Sequence, residues 1–230
     1  MKKIFFCLIV LSHLSFSFKD KPAVTADYLM GKFDPAKHAD FCKIGVKYAT
    51  KPDMYLRKET YEAFVKMAEA AQKDGVKLNI LSATRNFEYQ KRIWDIKFER
   101  LKDKTAWSRV KKILQYSAMP GSSRHHWGTD IDLNNLENAH FEKGEGKKIY
   151  EWLSKNAASY GFCQPYTAGR ATGYKEEKWH WSYTPLSKDF TAIAGKYLKN
   201  DMIIGFKGAE TASQIDIVNN YILGINKECY

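Results

Sequence analysis

The sequence predicts an α+β fold, with a small, mostly antiparallel sheet and flanking helices. Three observations carry that expectation. Several windows repeat apolar residues at helical spacing, and others alternate apolar and polar residues like short half-buried strands. The two kinds of window mix without the regular strand–helix–strand alternation of a parallel sheet. The chain has 230 residues, 44% hydrophobic and 14% aromatic, which suits one domain with a real core and excludes a disordered chain.

In chain order, residues 18–56 are mixed in character and rich in turn formers, and read as an arm wrapped on the core. Residues 59–74 predict a helix, because Phe64, Met67, Ala68 and Ala71 share one face. Gly75 suits its C-terminal stop. Residues 77–82 alternate as a strand with Leu78 and Ile80 on one side. A second helix is expected after Asn86, with Tyr89, Ile93 and Ile96 on one face. A third is expected over residues 107–116, with Val110, Ile113 and Leu114 inward. Met119-Pro120-Gly121-Ser122-Ser123 is a loop by every local signal. Residues 129–133 read as a strand, and Ile149, Trp152 and Leu153 mark a helix that stops at Gly161. Residues 179–183 read as an aromatic strand. Phe190, Ile193, Ala194 and Tyr197 mark a helix started by Ser187, and a last helix is expected to run to about Gly224. With no repeat or linker, the expected organisation is a leader at 1–17, an arm at 18–56, a core at 57–185 and a helical extension at 186–230 packed on that core.

The leader has its own composition. Met1-Lys2-Lys3 is basic, the stretch from Ile4 to Leu14 is apolar apart from Ser12 and His13, and Ser15-Phe16-Ser17 supplies small residues for cleavage. This is the layout of a secretory signal peptide cut near Ser17, so the mature chain is expected outside the cytoplasm, secreted or periplasmic. No later stretch is apolar for long enough to span a bilayer, so no transmembrane segment is expected in the mature chain. Cleavage removes two lysines and no acid, taking the formal charge from +11 to +9. That surplus favours an anionic partner, and an acidic cell envelope fits best. The basic residues are dispersed and form no nucleic-acid-binding motif, so no nucleic acid is expected as partner. Cys42, Cys163 and Cys229 show no short paired spacing. Export makes one disulfide plausible, but spacing leaves its pairing open.

Two segments carry chemistry. In Ser123-Arg124-His125-His126-Trp127-Gly128-Thr129-Asp130-Ile131-Asp132, strand alternation puts Asp130 and Asp132 on one face and Ile131 and Leu133 on the other. Two carboxylates on one face of an apolar strand are costly unless charge compensates them, and a metal ion would do so. The glycine turn can fold His125 back beside Asp132. In Glu177-Lys178-Trp179-His180-Trp181-Ser182-Tyr183, alternation separates His180 and Ser182 from the three aromatics. His180 can thus supply a third ligand. Glu177 stands at the strand mouth, where a carboxylate reaches water without binding the metal. Three protein ligands with one open position is the catalytic zinc pattern.

Ser123-x-His125-x-x-Gly128-x-Asp130-x-Asp132 resembles the Ser-x-His-x-x-Gly-x-Ala-x-Asp signature of the VanY-type D-alanyl-D-alanine carboxypeptidases, zinc metallopeptidases of family M15. Glu177-x-Trp179-His180-Trp181 resembles that family's Glu-Pro-Trp-His-Trp segment. Ser82-Ala83-Thr84-Arg85-Asn86-Phe87-Glu88-Tyr89-Gln90 is similar to its Ser-Gly-Tyr-Arg-Ser-Tyr-x-x-Gln segment. The resemblance spans about residues 55–185 and implies the hedgehog/D,D-peptidase fold. It implies one Zn2+ held by His125, Asp132 and His180, with Glu177 as catalytic base and Arg85 polarising the substrate. Gln90 and Ser123 match positions that line the substrate site. The implied substrate is a peptidoglycan stem peptide in a bacterial envelope, cut at its terminal D-alanine. An endopeptidase or D,D-dipeptidase on the same scaffold, or a zinc-containing wall-binding module without turnover, are the rival readings. Asp130 stands where the family has Ala, and Lys178 where it has Pro.

His38 and His140 read as structural, and His126 as a loop or supporting residue. Asp130 is expected to hold a ligand histidine, and Trp181 to belong to the core with a supporting role for the metal strand. Glu176 is the rival base within a Lys-Glu-Glu-Lys run, and Arg85 can alternatively pair with Glu88. Arg85 suits either of two roles, stabilising the oxyanion or binding the substrate carboxylate.

Overall fold

The computed structural model describes residues 24–102 and 105–230. The expected leader, residues 1–17, lies outside them. Among the described residues, no helix is long and apolar enough to cross a membrane.

The arm contributes a short helix, α1 (Ala26–Leu29), and a hairpin of β1 (Phe41–Lys43) and β2 (Tyr55–Arg57), paired antiparallel. Helix α2 (Lys58–Lys73) buries Phe64, Met67, Ala68 and Ala71, the face that periodicity predicts. Gly75 follows in the left-handed conformation, φ 75°. Strand β3 (Ile80–Ser82) is shorter than the alternating run that announced it. Helix α3 (Phe87–Arg100) is capped by Asn86, whose side chain accepts the Tyr89 N–H. Helix α4 (Ala106–Ile113) is capped in the same way by Thr105. Strand β4 (Asp130–Leu133) follows a 3-10 turn, a second such turn precedes helix α5 (Gly144–Asn156), and a third ends it before Gly161. Strands β5 (Phe162–Cys163) and β6 (His180–Tyr183), helix α6 (Thr184–Tyr197) and the single turn α7 (Ala212–Ile215) complete the chain.

The main sheet has the order β3-β4-β6-β5, antiparallel throughout. One face buries Ile80, Ile131, Leu133, Phe162, Trp179 and Trp181 in a cluster with α2 and α5. A second cluster joins Leu29 and Met30 of the arm, Trp94 and Phe98 of α3, Trp127, and Phe190, Ala194, Ile215 and Ile222 of the C-terminal region. The polar sheet face is therefore walled by α3, the loops and α6.

Three expectations are corrected. The buried face of α3 is Gln90, Trp94 and Phe98, whereas Tyr89 and Ile96 are exposed by 40% and 54%. Both faces of α3 are apolar; Trp94, larger and able to give its Nε1–H to the Lys207 carbonyl, takes the core side. Helix α6 starts at Thr184 with Pro185 in its first turn, and Ser187 is buried inside it. The last helix breaks up: Asp216 is left-handed at φ 52°, separating α7 from a short π-helical turn over Val218–Ile222.

Candidate metal centre

The register of the sheet builds the site. Asp132 lies opposite His180 on β6 and Ser82 on β3, so three polar residues form one row across the sheet. Asp130 lies opposite Ser182 in the neighbouring row. Cross-strand neighbours on one face touch, so alternation within β4 and β6 places both pairs together. Gly128 returns the chain from the 3-10 turn Arg124–Trp127 into β4 with φ 73°; a Cβ there would stand 2.4 Å from the Phe41 ring. That turn brings His125 over Asp132.

His125, Asp132 and His180 each direct one ligand atom to a common point, all within 4.8 Å of one another and buried. His125 Nε2 lies 3.3 Å from Asp132 Oδ2, and His180 Nδ1 lies 3.0 Å from Asp132 Oδ1. These approaches are not hydrogen bonds: His125 Nε2 and Asp132 Oδ1 are buried without a hydrogen-bond partner. The far side of each imidazole is occupied. His125 Nδ1–H faces the Ala83 carbonyl at 2.9 Å, and His180 Nε2–H faces Asp130 Oδ2 at 2.9 Å. Each ring therefore keeps its proton on the outside and turns its lone pair to the common point. Two imidazoles and a carboxylate converging with unmatched lone pairs fit one zinc ion and leave a fourth position open.

Charge in the site follows from burial and these contacts. Burial pushes the His125 imidazole down, and the nearby Arg85 charge adds to this. Burial also pushes against charge on His180, but Asp130 and Asp132 outweigh it and hold this ring up at about 9, so a metal ion at Nδ1 would take the place of a second proton there. For Asp132, the two histidines overcome burial and keep the carboxyl well below the usual carboxylate range. Glu177 is the opposite case. Burial raises its carboxyl to about 8, with Asp132 adding to the rise against the pull of His180 and Arg85.

Glu177 is buried, and its Oε2 stands 3.5 Å from His180 Nδ1. Its rival Glu176 only accepts the Asn138 side-chain amide on its backbone carbonyl. Arg85 pairs with the site, not with Glu88: its Nη1 gives a hydrogen bond to Ser82 Oγ (3.2 Å) and lies 3.8 Å from Asp132 Oδ2. Ser82, Arg85, His125, Asp132, Glu177 and His180 line a cleft of about 580 Å³, together with Ser123. Gln90 stands behind the cleft wall, fully buried, with its Nε2 on the Ala118 carbonyl at 2.8 Å. His126 is locked between the Arg85 carbonyl on Nδ1 (2.6 Å) and the Gly121 N–H on Nε2 (3.0 Å), so it has no free lone pair for a metal. His38 and His140 lie outside the cluster. Trp181 is on the other sheet face, donating Nε1–H to the Lys178 carbonyl. It backs the strand and does not touch the ligands.

Asp130 is saturated. Arg124 Nε and His180 Nε2 give hydrogen bonds to Oδ2, and Thr129 and Ser182 hydroxyls give them to Oδ1, at 2.7–3.1 Å. Arg124 is itself 1% exposed, donating to Thr191 on α6 (2.7 Å) and to Ser182 (3.0 Å) and lying over the Trp127 ring. Sequence reasoning missed Arg124, although a buried acid beside a ligand strand asks for a buried cation. It also missed Tyr166 and Tyr174, which line the cleft, Tyr166 with its ring 4.7 Å from that of His180. Only their position shortly before Glu177 hints at them. The one disulfide among the described residues joins Cys163 to Cys229, leaving Cys42 free.

Residues 53–186 match the model of the VanY family, described as D-alanyl-D-alanine carboxypeptidase. The chain belongs to the VanY family. A D-alanyl-D-alanine carboxypeptidase of Enterococcus faecalis (strain ATCC 700802 / V583) is 32% identical over 122 residues, 51% of this chain and 44% of that protein. YodJ of Bacillus subtilis (strain 168) is 31% identical over 134 residues, 56% of this chain and 46% of that protein. The chain thus spans about half the length of the curated relatives it matches. Among solved structures, VanYB in complex with D-alanine-D-alanine aligns with a TM-score of 0.52 at 25% identity, over 66% of this chain and 83% of that one. A VanY D,D-pentapeptidase in complex with Zn(II) aligns with 0.51 at 25% identity, over 66% and 87%. The LD-carboxypeptidase LdcB shares the fold, with a TM-score of 0.55 at 23% identity over 85% and 81%.

Proposed function

We propose that this protein is a zinc carboxypeptidase that removes the terminal D-alanine of peptidoglycan stem peptides, outside the cytoplasm of a bacterium. His125, Asp132 and His180 hold the metal, and Glu177 is the base. The observation that carries this reading is a buried carboxyl, Glu177, facing a His/Asp/His donor set in a cleft, with His125 Nε2 and Asp132 Oδ1 lacking any hydrogen-bond partner. Similar structures in complex with D-alanine-D-alanine and with Zn(II) support the ligand classes. The cationic surplus of the chain suits the anionic envelope in which that substrate lies.

A zinc ion bound by these three ligands would supply the Lewis acidity that amide hydrolysis needs. Glu177 takes one proton from the attacking water as its oxygen bonds to the scissile carbonyl carbon. It returns that proton to the amide nitrogen as the carbon–nitrogen bond breaks, so D-alanine leaves as the amine. A carboxyl raised by burial is suited to both halves of this transfer. Arg85, beside Asp132, offers its guanidinium to the oxyanion. Ser123 lines the substrate path, and Gln90 holds that wall in place through the Ala118 carbonyl. Asp130 fixes the His180 ring, and residues 57–185 form the peptidase core on which the described part of the arm, from residue 24, and residues 186–230 pack.

Purified protein is expected to release D-alanine from a stem pentapeptide, to stop with a chelator and to recover with zinc. Glu177→Ala is expected to retain zinc and lose turnover by a factor of about 100 or more. Release that survives the chelator, or a Glu177→Ala variant as active as the parent, sinks the reading.

A further inference from the structure

Three cations line the cleft: Lys51, Arg85 and Lys97. They differ in how they are held. Lys51 is exposed at the rim. Arg85 is engaged with Ser82 and lies against Asp132. Lys97 is half-buried on α3, one turn beyond Ile93 and two beyond Tyr89, so these three residues form the cleft wall of that helix. No acid stands three or four residues to either side: those positions hold Ile93, Trp94, Arg100 and Leu101. By contrast Lys91, on the same helix, closes an ion pair with Asp95 at 2.5 Å. Among the described residues, Lys97 makes no ion pair or hydrogen bond. Burial, then the Arg85 charge, push its ammonium towards the neutral form, while Glu177 and Asp132 favour the charge from a distance. A half-buried ammonium without a partner is costly unless an anion arrives to meet it.

We propose that Lys97 binds the free terminal carboxylate of the substrate, and so selects chain ends over internal bonds. This rests on the hydrolase reading above and deepens it. The carboxylate carbon of a terminal D-alanine is two bonds, about 2.5 Å, from the scissile nitrogen. Glu177 must come within hydrogen-bond reach of that nitrogen to return its proton. The terminal carboxylate therefore falls close to Glu177, in a cleft where a buried anion needs a cation. Lys97 is within electrostatic reach of Glu177 and, among the described residues, has no ion-pair or hydrogen-bond partner of its own. Assigning it the carboxylate frees Arg85, already turned to the metal ligands, for the oxyanion.

The test compares one stem peptide with a free terminal D-alanine carboxylate and the same peptide as its terminal amide, on zinc-loaded wild type, Lys97→Met and Lys97→Arg. Wild type is expected to prefer the acid. Lys97→Met is expected to lower kcat/KM on the acid by about 10- to 100-fold, mainly through KM. On the amide it should change by less than about threefold, and Lys97→Arg should recover part of the preference. Equal turnover of acid and amide by wild type, or an equal loss on both in Lys97→Met, overturns the proposal; the latter would mark Lys97 as support for Glu177. If wild type hydrolyses neither peptide, the hydrolase reading fails on its own. Calorimetric binding of the two peptides then decides for Lys97: an acid preference abolished by Lys97→Met supports it, and equal binding overturns it.

Discussion

Asp130 and Asp132 sit two residues apart on the same strand, face the same way and are both buried, yet they are treated in opposite ways. Asp130 receives hydrogen bonds from Arg124, His180, Thr129 and Ser182 and has no acceptor capacity to spare. Asp132 has one oxygen without any hydrogen bond, 3.0 Å from an imidazole nitrogen that offers no proton along that line. A buried carboxylate left so is destabilising unless a cation completes it. The saturated member is a brace, and the unsaturated one is a ligand. Sequence alone shows two aspartates on one face; only the inventory of their partners separates the roles.

The sharpest way to break this contrast is to remove each acid and measure zinc affinity by chelator competition. Asp132→Ala is expected to lose zinc by more than the 10- to 100-fold, or about 100-fold at most, typical of residues that merely orient a ligand. Its fold should persist, because no hydrogen bond network depends on it. If Asp132→Ala kept zinc within about tenfold of wild type, the ligand assignment would be wrong and Asp130 would be the next candidate.

Asp130→Ala is expected to fail differently. Zinc affinity should fall by about 10- to 100-fold, since His180 loses the acceptor that fixes its proton on Nε2. Stability should drop by about 3–5 kcal/mol, because Arg124 is left buried and unpaired. Adding Arg124→Met removes that orphaned charge. The double variant should regain most of the lost stability in denaturant titration while its zinc affinity stays low. Additive losses in the two single variants would show that Arg124 and Asp130 do not act as a pair.

The strand alternation that put Asp130, Asp132, His180 and Ser182 on one face was readable in the sequence because side chains on a strand have a strict period of two. The helical face of α2 was readable for the corresponding reason, since its other face is polar. Helix α3 misled because both of its sides are apolar. Trp94 and Phe98 pack into the core, while Tyr89 and Ile93 wall a cleft that periodicity does not distinguish from a core. Arg124 was passed over because it is one cation among many, and burial is a tertiary property. The pairing of Cys163 with Cys229 spans 66 residues and depends on where the C-terminal segment returns to the sheet. The break at Asp216 needed a backbone conformation that few residue types announce.

The mildest perturbation of the contrast is at Ser182, the residue paired with Asp130 across the sheet. Its hydroxyl gives a hydrogen bond to Asp130 Oδ1 at 2.7 Å and accepts one from Arg124 at 3.0 Å. Ser182→Ala removes both without removing either charge. Asp130 keeps Arg124, His180 and Thr129, and Arg124 keeps Asp130 and Thr191. The expected cost is about 1–2 kcal/mol in denaturant titration, with zinc affinity within about threefold of wild type. A brace with four hydrogen bonds should tolerate the loss of one. If Ser182→Ala instead lost zinc as severely as Asp130→Ala, His180 would be oriented by the whole hydroxyl network, and the carboxylate of Asp130 would be one contributor among several.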